Sequence, residues 1–201
     1  MSKLDQLLNI STWVFDLDGT LTVPCHDFDE LRQRLGIDAE DDILSVVEEA
    51  SPRAQEEFRA IISEWEWENV AHTECAPGVH KVLALLHERE CKMGILTRNL
   101  HEIALATLGQ IGCRRFFPES RVLGRNEAPP KPSPEGIYEC LRRMDAQMPA
   151  VMVGDYLYDL QAGKAANCTT ILVGEQCPPS WRSETDIVVS TFEEIYEALS
   201  R

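Results

Sequence analysis

The chain reads as an α/β protein in which a parallel sheet carries helices on both faces and accepts one all-helical insertion. Three observations predict this. Short β-branched and aromatic runs alternate with amphipathic helical segments through most of the second half, the pattern of strands joined by crossover helices. A helical, strand-free and strongly acidic stretch interrupts that alternation near the start. The composition, 44% hydrophobic and 26% charged over 201 residues, suits a folded core of ordinary size and excludes disordered or collagen-like chains.

In order, residues 3–9 suit a short helix, and Thr12 to Asp16 (T-W-V-F-D) a buried strand that ends in the turn at Gly19. From Asp27 to about Asn69 the spacing is helical: Leu31 with Leu35, Ile43 with Val46 and Val47, then Phe58, Ile61, Ile62 and Trp65. Pro77 suits the first position of the next helix, whose stripe is Val79, Val82, Leu83 and Leu86. Strands follow at Lys92–Thr97, Arg121–Gly124, Ala150–Gly154, Thr169–Val173 and Asp186–Val189, with helices near 100–111, 134–146, 157–166 and 192–199. The order is Rossmann-like, with a core of residues 1–24 and 77–201 and a small helical insertion at 25–76.

Charge narrows the function classes. The formal net charge of −15 opposes binding to nucleic-acid phosphates. Residues 25–76 alone hold fifteen acids against four arginines, Arg32, Arg34, Arg53 and Arg59, which suit ion pairs on helix surfaces better than the gripping of a second substrate anion. No apolar run reaches the ~18 residues of a membrane span, and Asp5, Gln6 and Asn9 break any signal-like core, so a cytoplasmic chain is expected. The seven cysteines are scattered without C-x-x-C spacing and read as reduced thiols rather than a disulfide framework or zinc site. Oligomeric state is left open.

In an open parallel sheet, reactive groups collect beyond the carboxyl ends of the strands, and the chemistry-bearing residues fall there. Asp16 and Asp18 follow the first strand in D-L-D-G-T-L. One such carboxylate can attack phosphorus while the other serves as general acid and base. Thr97, in T-R-N after the second strand, offers a hydroxyl for an oxyanion, whereas Asn99 with Glu102 has the spacing of a helix cap. Lys131 sits in the proline-stiffened P-P-K-P-S-P, where it can hold a fixed charge in the cleft. Asp155 and Asp159, in G-D-Y-L-Y-D after the fourth strand, add two carboxylates. Asp16, the carbonyl of Asp18, and Asp155 make an oxygen set suited to Mg²⁺, with Asp159 behind them holding Lys131 or a metal-bound water. Asp155 also suits the cap of the helix that follows.

Taken together, D-L-D-G-T-L, I-L-T-R, the lysine of the proline loop and G-D-Y-L-Y-D resemble the four motifs of the haloacid dehalogenase-like hydrolase superfamily, over residues 13–159. The insertion resembles the helical cap of the phosphoglycolate phosphatase and β-phosphoglucomutase branch, though smaller. The resemblance implies an aspartyl-phosphate intermediate with Asp16 as nucleophile and Asp18 as acid and base. It implies Thr97, Arg98 and Lys131 as phosphate holders and Mg²⁺ at Asp16, Asp18 and Asp155. The expected function is a Mg²⁺-dependent phosphatase acting on a small phosphorylated metabolite. The alternatives are a phosphosugar mutase and a non-catalytic ligand-binding member of the fold. Asp18 speaks against a dehalogenase, and the absence of lysine between Leu4 and His80 against a Schiff-base lysine in the insertion. Trp65 is expected in the core. Trp67, His26, His72 and Cys25 are given no chemical role, and Lys131→Ala is expected to lose activity with little loss of stability.

Overall fold

The computed structural model describes residues 3–24, 27–38 and 41–201, without the side chains of Lys3 and Leu44; Cys25 and His26 lie outside the described residues. The chain divides into two compact units, Met1–Pro24 with Glu74–Arg201, and Cys25–Thr73.

The first unit is built on six parallel strands in the order β3-β2-β1-β4-β5-β6, with β1 Thr12–Phe15, β2 Lys92–Leu96, β3 Val122–Leu123, β4 Val151–Gly154, β5 Thr169–Val173 and β6 Ile187–Val189. The parallel sheet with helices on both faces is thus as expected. Residues 3–9 form a 3-10 helix ahead of β1. β1 pairs with β2 on one side and β4 on the other, and all four of its residues are buried, as a strand covered on both faces requires.

Alternation along β1 divides the core. Trp13 and Phe15 face one side with α4 (Val79–Glu88), α5 (His101–Gln110) and α8 (Phe192–Leu199). Val14 faces the other, with α6 (Glu135–Arg143) and α7 (Leu157–Ala165). The stripe Val79, Val82, Leu83 and Leu86 is fully buried on the first face. Phe15 stacks on Trp13 at 6.0 Å between centroids and meets Phe117 edge-on at 6.2 Å.

Two boundaries differ from expectation for local reasons. β3 holds two residues rather than four because the Gly124 N–H leaves the ladder to donate to Glu127 Oε2 at 2.8 Å. α4 starts at Val79, not Pro77, because Gly78 takes the N-cap with a φ of +86°, a left-handed conformation outside the helix.

The second unit contains α1 Phe28–Leu35, α2 Ile43–Glu49 and α3 Pro52–Val70. Asp27, Asp42 and Ser51 cap their N-termini by accepting backbone N–H bonds. Leu31, Leu35, Val47, Ile62 and Trp65 form its core, and Trp65 lies 5.5 Å from the Phe28 ring. The acidic faces point outward and pair locally: Arg34 reaches Glu30 at 2.7 Å and Glu68 at 2.9 Å, Arg32 pairs with Asp29 and Arg53 with Glu57. Trp67 is exposed. Among the described residues, no helix is long and apolar enough to cross a membrane.

Phe117, fully buried against Phe15, tests the first core: Phe117→Ala is expected to lower unfolding stability by about 3–5 kcal/mol, measured by urea denaturation.

Candidate active site

The reversal of strand order lies between β1 and β4, where side chains following both strands meet in one crevice. Asp16 follows β1, its backbone N–H donating to Val153 O at 2.9 Å. Its side chain is buried and ion-paired with the ammonium of Lys131. Lys131 is itself buried, 4% exposed, and its other partner is Asp159 Oδ1 at 2.6 Å. Asp159 divides its oxygens: Oδ2 accepts the Tyr156 N–H at 3.1 Å at the start of α7. That bond places Asp159, with Tyr156 in the N-cap position, where the sequence suggested Asp155 as the cap.

Asp155 is tied instead to the turn after β1. Thr20 Oγ1 lies 2.8 Å from Asp155 Oδ1 and 3.3 Å from Asp16 Oδ2. Two glycines permit this closeness. Gly19 has a φ of +78°, and a Cβ there would stand 2.5 Å from Asp155 Oδ2. A Cβ at Gly154 would stand 2.3 Å from Asp159 Cβ. Any side chain at either position would push the carboxylates apart.

Asp18 faces a different set. Asn99 Nδ2 donates to Asp18 Oδ2 at 2.7 Å and Thr97 Oγ1 to the same oxygen at 3.3 Å. The Asn99 N–H in turn donates to Thr97 Oγ1 at 3.1 Å. The capping role expected of Asn99 is therefore corrected: α5 begins at His101 with Leu100 at its N-cap and no side-chain cap bond. A charge-assisted bond to a carboxylate outweighs a neutral cap, and it draws the carboxamide to Asp18. Asn99 and Thr20 are the contacts that sequence reasoning missed. Both stand inside the motifs that follow β1 and β2, which was the available signal. The Arg98 guanidinium lies over the Tyr158 ring at 5.2 Å. Tyr156, 52% exposed, meets Tyr158 and Trp181 edge-on.

Burial dominates the electrostatics. It pushes the Asp16 carboxyl up to about 6, against the pull of Lys131 and helped by the charges of Asp155 and Asp18. Asp155 and Asp159 are likewise pushed up to about 6, first by burial. Burial works against the charge on Lys131, but Asp159 and Asp16 more than offset it and hold the ammonium above its ordinary range. Oxygens of Asp16, Asp155 and Asp159 all lie within 4.8 Å of one another. Three carboxylates against one ammonium leave this buried group net negative. Hard carboxylate oxygens are the donors that Mg²⁺ takes, so the residues fit a divalent cation. The Asp18 carboxylate is turned to Thr97 and Asn99 and is not one of the three that converge.

The chain matches the haloacid dehalogenase-like hydrolase family over residues 26–173 and belongs to that family. It is 35% identical over 175 residues to a haloacid dehalogenase-like hydrolase domain-containing protein of Arabidopsis thaliana, covering 81% of this chain and 70% of the relative. It is 27% identical over 219 residues to a phosphoglycolate phosphatase of Chromobacterium violaceum, covering 96% of this chain and 98% of the relative. In fold it is similar to a crystal structure of a hydrolase from Pseudomonas syringae, with a TM-score of 0.77 at 16% identity over 94% of this chain and 98% of that one. The protein is an enzyme of the hydrolase class that this family defines.

Two predictions follow from the charges. Removing Lys131 leaves Asp16 and Asp159 buried without their cation, so the expectation that Lys131→Ala spares stability is withdrawn. The variant is expected to lose about 3–5 kcal/mol in denaturant unfolding. For the carboxylates the sign runs the other way. A buried acid whose folded pKa lies above its unfolded value favours the folded state at low pH, and that contribution is lost as pH rises from about 4 to about 6. In EDTA at pH 7.5, Asp155→Asn is therefore expected to be more stable than the parent by about 1 kcal/mol. In thermal melts the advantage should shrink as pH falls and disappear at about pH 4.

Proposed function

We propose that the enzyme is a Mg²⁺-dependent phosphatase that hydrolyses a small phosphate monoester through an aspartyl-phosphate at Asp16. One observation carries the reading: a carboxylate at the end of the central strand is buried against a lysine and stands beside a second pair of carboxylates. The similarity to a phosphoglycolate phosphatase over nearly the whole of both chains supports the choice of phosphate ester.

In this reading Asp16 attacks phosphorus through one carboxylate oxygen, and the P–O bond to the leaving group breaks. Asp18 gives its proton to the departing alkoxide. It then takes a proton from the water that attacks the aspartyl-phosphate, releasing inorganic phosphate and restoring Asp16. Thr97 and Asn99, both bonded to Asp18 Oδ2, orient that carboxyl. Lys131, held from behind by Asp159, keeps Asp16 aimed and presents positive charge to the phosphoryl oxygens. Arg98 and the Thr97 hydroxyl complete the phosphate seat. Mg²⁺, held by Asp16, Asp155 and the carbonyl of Asp18, would supply the remaining charge neutralisation when bound. The helical unit, as a cap, would select the ester. A cytosolic setting and a small-metabolite substrate belong to the same reading.

Phosphate release from a panel of esters, including phosphoglycolate, sugar phosphates and nucleotides, tests it. Turnover is expected with Mg²⁺, to stop with EDTA, and to fall at least about a thousandfold in Asp16→Asn. Undiminished turnover in that variant overturns the assignment of Asp16. Phosphorus NMR on a phosphosugar separates hydrolysis from transfer: an accumulating isomer in place of inorganic phosphate would make the enzyme a mutase.

A further inference from the structure

Among the described residues a second group of metal-ligating side chains lies away from the aspartates: Cys75, His80 and Cys113 each bring one ligand atom within 4.8 Å of the others. They come from three places. Cys75 lies in the extended segment ahead of α4, His80 is the second residue of α4, and Cys113 follows the end of α5. Cys113 Sγ is 3.9 Å from His80 Nδ1. Gly112, with a φ of +69°, supplies the left-handed turn that leads into Cys113 and lies in contact range of the His80 ring. Cys113 is buried, Cys75 partly buried and His80 exposed, so the group has a packed floor and an open side.

We propose that Cys75, His80 and Cys113 form a site for a thiophilic divalent cation, Zn²⁺, separate from the aspartate cluster and independent of the phosphatase reading. The donor set decides the class of ion. Two sulfurs and an imidazole suit Zn²⁺, whereas Mg²⁺ takes oxygen. Tetrahedral zinc, with Zn–S of about 2.3 Å and Zn–N of about 2.0 Å, needs its ligand atoms roughly 3.5–3.8 Å apart. The atoms, within 4.8 Å of one another, therefore close by at most about 1.3 Å, and the exposed His80 can rotate to do so. A disulfide between the two cysteines would leave the converging histidine without a purpose. Binding replaces both thiol protons by the cation, leaving two thiolates, a neutral imidazole and Zn²⁺ with no net charge. Water fills the fourth position on the open side.

The placement gives the site a consequence. Cys75 pairs with Thr22 in an antiparallel bridge, and the Ala76 N–H donates to Leu21 O at 3.0 Å. Zinc here would tie the segment bridged to Thr22, just past the Asp16–Thr20 turn, to α4 and to the end of α5.

Cobalt titration into the metal-stripped, phosphine-reduced full chain, with excess Mg²⁺ present, tests the proposal without using turnover. One equivalent of Co²⁺ should give thiolate-to-cobalt charge-transfer absorption and intense tetrahedral d–d bands, and Zn²⁺ should abolish both. Cys75→Ser should reduce the charge-transfer band by about half or more, and His80→Ala, an exposed change that leaves the core alone, should weaken binding by about tenfold or more. Absence of the band overturns the site. So does an undiminished band in Cys75→Ser, an unchanged affinity in His80→Ala, or mass-spectrometric detection of a Cys75–Cys113 disulfide under peroxide in a chain that binds no cobalt.

Discussion

The structure depends on a buried ammonium shared by two buried carboxylates. Lys131 lies between Asp16 and Asp159 with almost no contact with water, where an unpaired charge would be strongly unfavourable. The ammonium is held by both carboxylates and each carboxylate depends on the ammonium, and each member comes from a different place: the end of β1, the loop ahead of α6, and the first turn of α7. The triplet therefore joins the crossover segments at the point where strand order reverses. Among the described residues Asp155 has no ion pair of its own at the same edge, and that excess of negative charge is what suits the site to a divalent cation.

Around that triplet the backbone is shaped to tolerate crowding. Gly19 and Gly154 stand where a methyl group would collide with Asp155 or Asp159, so the two carboxylate pairs can approach only because both positions lack a Cβ. The Thr20 hydroxyl bridges the two strands' loops, while Asn99 and Thr97 set Asp18 apart in a hydrogen-bonded pocket. Two aspartates separated by one residue thus meet different surroundings. In the proposed mechanism, that difference is what would let one be a nucleophile and the other an acid and base.

The same reasoning explains how far the site was legible. Asp16, Asp155, Asp159 and Lys131 stood out because each follows a strand or lies in a proline-stiffened loop, and strand ends in parallel sheets converge by topology. Asn99 did not stand out. Its spacing to Glu102 satisfies a capping rule, and only the position of Asp18 across the crevice shows that a stronger acceptor wins the carboxamide. Cys75, His80 and Cys113 were invisible for a related reason. Metal motifs are recognised by short spacing, and these residues are brought together by the packing of α4 against the end of α5.

The alternation of hydrophobic residues by itself determined the strands, the helices and the faces they bury, because local periodicity and burial are two descriptions of one constraint. The acidic, strand-free stretch likewise determined a separate helical unit, since its few apolar residues can close only a small core of their own. What tertiary structure alone decided was partnership: which oxygen Lys131 holds, where Asn99 turns, and which sulfur meets His80. Those choices are competitions between groups distant in sequence, and a competition is settled only when the distances exist.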